Sequence, residues 1–238
     1  MIQACLNGRR TRAEHPAIPQ TPEELAREGK AAVAAGATSL HVHPRGPDGF
    51  ETLEGEPRAA VLRAMREACP GIEISFTTGL WITNDPAKRL ALIARWTELP
   101  DVCSVNISED GAVELINALV ARGIGIELGV ATAVDMRKFI ASGVAPSCKR
   151  LLVELEGSPS EAQVECAVME SLLMAADIRL PRLDHGYGRS TYGILDHAHR
   201  LGYDLRIGFE DTLALPDGCP ARNNAELVAA VVARVAVI

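Results

Sequence analysis

The sequence has no run of 18 or more apolar residues, so nothing in it reads as a membrane-spanning helix. It also has no segment rich in Lys and Arg, and its formal net charge is −7. A nucleic-acid or anionic-membrane surface needs basic phosphate contacts, so small molecules are the expected partners. Cysteine is sparse and unpatterned: Cys5, Cys69, Cys103, Cys148, Cys166 and Cys219 form no C-x-x-C pair. They read as reduced, mostly buried thiols rather than a disulfide framework or a cysteine metal site. The opening MIQACLNGRR has no apolar stretch behind a basic one, and the expectation is a cytoplasmic protein. Linkers, low-complexity segments and repeats beyond a strand-helix alternation are missing too.

What is present is enough for one core. The 238 residues, 47% hydrophobic and 23% charged, match an ordinary globular chain and the roughly 250 residues of a (β/α)₈ barrel. Short aliphatic runs alternate with longer helical patterns, the signature of parallel strands joined by crossover helices. The runs are 2–6, 39–43, 73–77, 102–106, 125–128, 151–155, 178–183 and 205–209, eight in all. Thr21-Pro22-Glu23-Glu24 spells a capping box with proline in the first turn, and Asp85-Pro86 starts a helix in the same manner. Gly36, Gly123, Gly143 and Gly202 stand where left-handed helix ends are wanted. Alternation alone also fits an open doubly wound sheet; the count of eight favours a single TIM barrel over residues 1–238. The last helix, 224–238, ends in the apolar run VVARVAVI, which either packs on another subunit, making a homo-oligomer, or closes the barrel.

The chemistry concentrates at strand ends. His41 and His43 stand at i and i+2, so both imidazoles face one side of their strand, the barrel interior near the mouth. That spacing suits a catalytic zinc, which takes three protein ligands and keeps a position open; a pair of hydrogen-bonded core histidines is the plain alternative. On the eighth strand Arg206, Gly208 and Glu210 share a face, with Glu210 at the end where barrel active sites gather. By spacing alone, Glu210-Asp211 reads equally well as a helix cap or a solvated loop. An inward Arg206 calls for a nearby carboxylate such as Asp211.

Asn7-Gly8, HPAIPQTPEEL (15–25), HVHPR (41–45), Thr77-Thr78-Gly79 and RIGFEDTL (206–213) together resemble the β-keto acid cleavage enzymes, in order and through nearly the whole chain. The resemblance implies a zinc-dependent barrel that condenses a β-keto acid with acetyl-CoA, yielding acetoacetate and a new acyl-CoA. It places the metal on His41, His43 and Glu210, a proton-removing dyad on Arg206 and Asp211, and substrate contacts on Thr77, Thr78, Gly79, Ser104 and Asn106. Because an Arg holds its proton at any ordinary pH, the acceptor is expected to be Asp211 or the pair acting together.

Three departures bear on the substrate. Arg9 and Arg10 stand where an amine-binding acid occurs in the aminohexanoate-cleaving members, so Arg10 becomes a candidate contact for a second carboxylate or a polar tail. Glu156-Gly157-Ser158-Pro159-Ser160 replaces a glycine-rich loop. On the fifth strand a single acid, Glu127, remains where a second is expected two positions on, and it is a candidate substrate contact. Glu154, Glu156 and His185 are weaker candidates at the mouth; His15 reads as a loop residue, and His197 and His199 as surface. Two other readings stay open: a metal-dependent hydrolase, although such enzymes usually carry H-x-H on the first strand with further histidines later, and a catalytically silent metabolite-binding barrel.

Overall fold

The computed structural model describes residues 1–237. Eight strands close into a barrel in sequence order: β1 (Ile2–Cys5), β2 (Ser39–Val42), β3 (Glu73–Thr77), β4 (Val102–Asn106), β5 (Gly125–Val130), β6 (Arg150–Leu155), β7 (Arg182–Gly186) and β8 (Asp204–Ile207). Every neighbouring pair is parallel, including β1 with β8. The connecting helices are α1 (Pro22–Ala34), α2 (Gly55–Ala68), α3 (Pro86–Ala94), α4 (Ala112–Val120), α5 (Ala133–Ser142), α6 (Pro159–Ala175), α7 (Thr191–Arg200) and α8 (Asn224–Val235). This is the TIM barrel expected from the alternation.

The caps follow the local chemistry. Thr21 and Glu24 form the reciprocal capping box, and the Asp85 side chain accepts from the backbone of Ala87 and Lys88. Gly36, Gly123, Gly143 and Gly202 all have positive φ, at helix ends where a Cβ is a penalty. The seventh strand differs from expectation. The apolar run 178–183 points upstream, but pairing covers Arg182–Gly186, with Ile178 and Leu180 packed partly buried against the core. Pro181 has no N–H for a ladder, and the strand's Asp184 and His185 are polar, so the apolar signal centres before the strand. Helix α8 lies on α1, β1 and β8; of the apolar run, Val231 is buried there while Val237 is exposed, and Ile238 lies outside the described residues.

Alternate residues of each strand face opposite ways. One set, including Leu40, Val42, Ile74, Phe76, Val105, Leu128, Val153 and Ile207, is buried beneath the helices. The other set faces the barrel axis and is unusually polar. Contacts between strands that are not neighbours prove its direction: Gln3 on β1 donates to Glu127 Oε1 on β5 at 2.6 Å, and Ser75 on β3 donates to Glu127 Oε2 at 2.6 Å. Arg150 grips Glu127 through Nε at 2.8 Å and Nη2 at 2.5 Å, and also pairs with Glu73. Burial opposes the Arg150 charge, but Glu127 and Glu73 outweigh it and raise its pKa. Without Glu127 the buried Arg150 keeps only Glu73, and Gln3 and Ser75 lose their acceptor, so Glu127→Ala is expected to destabilise the fold by about 3 kcal/mol in denaturant unfolding. An unchanged midpoint would refute this.

Candidate active site

The metal-ligand candidates meet at the top of this polar interior. His41 belongs to β2, His43 follows it directly, and Glu210 lies three residues beyond β8. Two glycines let the first and last strands approach. A Cβ on Gly208 would overlap the Cys5 carbonyl, and one on Gly8, whose φ is +55°, would overlap the Glu210 side chain. Asn7 clamps the other ligand strand: it accepts from His43 N at 2.9 Å and donates to His43 O at 2.9 Å. Arg45 donates to the carbonyls of Gly8 at 2.7 Å and Arg10 at 2.9 Å, fixing the loop after β1.

The three side chains fit a cation. Their ligand atoms all lie within 4.8 Å of one another; His41 Nε2 and His43 Nε2 are 3.1 Å apart, and Glu210 oxygens stand 3.8 and 3.5 Å from them. Hydrogen bonding on the far side of each ring sets its tautomer. Ser75 gives its proton to Glu127, so its oxygen accepts from His41 Nδ1 at 3.0 Å, leaving the Nε2 lone pair free. His43 Nδ1 lies 2.6 Å from Glu51 Oε1, and Trp81 Nε1 donates to the other Glu51 oxygen at 3.0 Å. Glu210 Oε2 is buried with no hydrogen-bond partner. A buried carboxylate oxygen is costly in that state unless a cation meets it. Two oriented imidazoles and one carboxylate, with a position to spare, suit an open divalent-metal site.

Electrostatics agree. Burial and then the Arg206 charge lower the His41 pKa well below the usual imidazole range, which keeps the ring neutral as a ligand must be. Burial works in the same direction on His43, but Glu210 and Glu51 outweigh it and hold its pKa up at about 9, so a cation would take the place of a proton there. Burial opposes the Glu210 charge, yet Arg206, His43 and His41 hold its pKa well below the carboxylate range. The partners of the two rings were not legible as such in the sequence. Ser75→Ala or Glu51→Gln is expected to weaken zinc affinity about 10- to 100-fold in a chelator competition, because such partners orient the ligands. Wild-type affinity in both variants would overturn that role.

The profile of the beta-keto acid cleavage enzymes matches residues 1–237. The chain belongs to the beta-keto acid cleavage enzyme family. It is 28% identical over 264 residues to the 3-keto-5-aminohexanoate cleavage enzyme of Acetoanaerobium sticklandii, spanning 98% of this chain and 90% of that one. A stretch of 66 residues is 38% identical to the 3-oxoadipate:acetyl-CoA acetyltransferase of Cupriavidus necator, 28% of this chain and 23% of the relative. ObcA, solved as a ternary complex with a C4-CoA adduct and oxalate, shares the fold with a TM-score of 0.75 at 15% identity. The match takes in 93% of this chain and 64% of ObcA, so this family member spans less than two thirds of the length of that protein.

In this beta-keto acid cleavage enzyme family member the three ligand candidates open into a cavity of about 370 Å³, also lined by Arg9, Arg10, Thr77, Trp81, Ser104, Asn106, Glu154, Glu156, Tyr187 and Arg206. Four of the expected substrate contacts, Arg10, Thr77, Ser104 and Asn106, are therefore on its wall. Three others are elsewhere. Thr78 is buried and donates to Ser104 O at 2.6 Å, and Gly79 is covered by the Trp81 ring. Glu127 faces Gln3, Ser75 and Arg150 beneath the ligands, and both its oxygens accept hydrogen bonds there. A register that points Glu127 inward does not set its height in the barrel.

Arg206 Nη2 lies 2.5 Å from Glu210 Oε1, and its Nε 3.6 Å from Asp211 Oδ1. Burial opposes its charge, but Glu210, Cys5 and Asp211 outweigh this and raise its pKa. Asp211 is fully buried and off the cavity wall. It accepts from Cys5 Sγ at 2.7 Å and lies 3.1 Å from His185 Nδ1. Its influence on a substrate runs through Arg206 or His185. His15 packs on Phe209, as befits a loop residue. His197 is partly buried against Glu170 at 3.3 Å rather than free at the surface. Cys166, Glu170 and His197 cluster closely enough to suggest a second metal site. Arg182 lies 3.5 Å from the Cys166 sulfur and 3.4 Å from Glu170, repelling a cation, and burial pushes the Cys166 thiol up to about 12.

Proposed function

We propose that this family member exchanges acyl groups between a β-keto acid and acetyl-CoA, releasing acetoacetate and a new acyl-CoA, with zinc held by His41, His43 and Glu210. The observation that carries this reading is the unpartnered Glu210 Oε2, aimed with two oriented imidazoles at one point on the cavity wall beside Arg206. When bound, the cation supplies a Lewis acid for the carbonyl and carboxylate oxygens of a β-keto acid and so favours the enolate. Arg206 adds a fixed positive charge beside that point. Thr77, Ser104 and Asn106 offer hydrogen bonds to the substrate carboxylate or oxyanion. The names of the relatives support both halves of the exchange, a keto acid and acetyl-CoA. Among the described residues no third histidine joins the cluster, which speaks against the histidine-rich hydrolase alternative.

The side of the cavity lined by Arg9 and Arg10 favours an anionic or polar neutral tail. Arg10 pairs with Glu14 at 2.9 Å, whereas Arg9 lies 5.3 Å over the Trp81 ring and has no acidic partner among the described residues. An ammonium tail would meet two guanidinium groups there. Arg9→Ala is expected to raise KM about tenfold or more for a keto diacid and to leave kcat nearly unchanged, because the lost contact serves ground state and transition state alike. The reading as a whole is tested by incubating zinc-loaded protein with acetyl-CoA and a β-keto acid library and weighing the CoA esters formed. If no acetoacetate and no new CoA ester arise across the library, the activity is wrong.

A further inference from the structure

Trp81 stands on the cavity wall within reach of both Arg9 and His43. It belongs to a short 3₁₀ turn, Leu80–Ile82, directly after the Thr77-Thr78-Gly79 run. The turn is pinned to the loop after β4. Leu80 N donates to Glu109 Oε1 at 3.0 Å, while Arg89 pairs with the other Glu109 oxygen and donates to Asp110 O at 2.7 Å. From this anchored turn the indole folds back over its own chain. A Cβ on Gly79 would overlap the six-membered ring, so glycine is what lets the ring lie there.

Two neighbours use the ring in different ways. Its edge donates Nε1–H to Glu51 Oε2 at 3.0 Å, and Glu51 Oε1 lies 2.6 Å from His43 Nδ1. The His43 ring is nearly parallel to the indole, at 24° with centroids 6.2 Å apart. The indole face receives Arg9, whose Cζ lies 5.3 Å from the ring centroid. Arg9 is exposed on the loop after β1, and a guanidinium on so long a stem otherwise spreads over many rotamers. A cation over an exposed indole is favoured by a factor of about 2 to 5, enough to bias those rotamers towards the cavity lining. With no acidic partner among the described residues, the N–H fork of Arg9 is unspent. A carboxylate is the group that takes such a fork through two parallel hydrogen bonds.

We propose that Trp81 is a specificity-determining residue, selecting β-keto acids that end in a second carboxylate by holding Arg9 over the cavity, and that the same indole ties this tail site to the cation site through Glu51. The assignment rests on the acyl-exchange reading above. One ring thus serves both ends of the substrate: its face positions the group that meets the tail, and its N–H positions the carboxylate that orients a metal ligand. Tail recognition and ligand orientation are separable, because the first needs an aromatic face and the second needs an N–H donor.

The test is binding of adipate and of hexanoate, which differ by one terminal carboxylate, measured by calorimetry on zinc-saturated protein, beside zinc affinity by chelator competition and CoA-ester formation. The wild type is expected to hold adipate at least about tenfold more tightly than hexanoate, the scale of a charge-assisted pair. Trp81→Leu, which removes both face and donor, should cut that preference to about threefold. Arg9→Ala should cost the preference about tenfold in the wild type and no more than about threefold on the Trp81→Leu background, the signature of coupled residues. Trp81→Phe, which keeps a face and loses the donor, should retain the preference within about twofold and lose about 3- to 10-fold in zinc affinity, less than a change at Glu51 itself. Because the preference is a ratio measured on one protein, a variant that merely loosens the fold leaves it unmoved. An equal cost of Arg9→Ala in both backgrounds, wild-type zinc affinity in Trp81→Phe, or a wild type that does not prefer adipate overturns the assignment, and new CoA esters would then leave acyl exchange standing. The expected shifts without any CoA ester uphold Trp81 and remove acyl exchange.

Discussion

Replacing His41 with alanine is expected to remove zinc and activity together. The imidazole is buried, its tautomer is fixed through Ser75, and its Nε2 lies 3.1 Å from that of His43. Without it only His43 and Glu210 remain, and two protein ligands do not make the three-ligand site a catalytic zinc requires. Affinity should fall by more than the roughly 100-fold expected from losing a supporting partner, and acetoacetate formation to background. Elemental analysis after dialysis against a chelator reads the first, and acyl-exchange assays the second. One full equivalent of zinc retained at wild-type affinity would show that the cluster is not the metal site.

A second large effect is expected from Arg206→Lys, a change that keeps the charge. Arg206 reaches Glu210 with one nitrogen and faces Asp211 with another, two directions at once. A lysine ammonium is a point charge on a flexible stem and cannot span both. We expect kcat to fall by about 10²- to 10³-fold, the scale for losing a fixed electrostatic group in an active site, while zinc content stays at wild type. A kcat within threefold of wild type would reduce Arg206 to bulk positive charge.

The sequence carried the fold further than the site. Alternation and caps located the elements closely, and the seventh strand slipped because Asp184 and His185 give it too little apolar signal and Pro181 interrupts the run before it. His41 and His43 were legible because a two-residue period is a property of one strand. Glu210 was not legible from spacing, since what brings it to the histidines is the approach of β1 and β8 at Gly8 and Gly208, a contact between opposite ends of the chain. Glu51 and Ser75 had no signal of their own: a lone carboxylate or hydroxyl becomes a ring's partner only through the neighbouring chain. Glu127 and Asp211 were correctly seen as inward or nearby acids, but depth along the axis decides whether such a group touches substrate or another side chain, and periodicity is silent on depth.

The ligands come from β2 and from the turn after β8, on either side of the junction where the ring of strands joins. The cation site therefore exists only after the last strand has docked on the first, and a bound ion acts as a clasp across that closure. At free zinc 100 times Kd the clasp would hold the closed ring by about 2.7 kcal/mol. A chain short of zinc would then lose its grip first along the β1–β8 edge, and faster amide hydrogen exchange there would betray the missing ion before any loss of helix content.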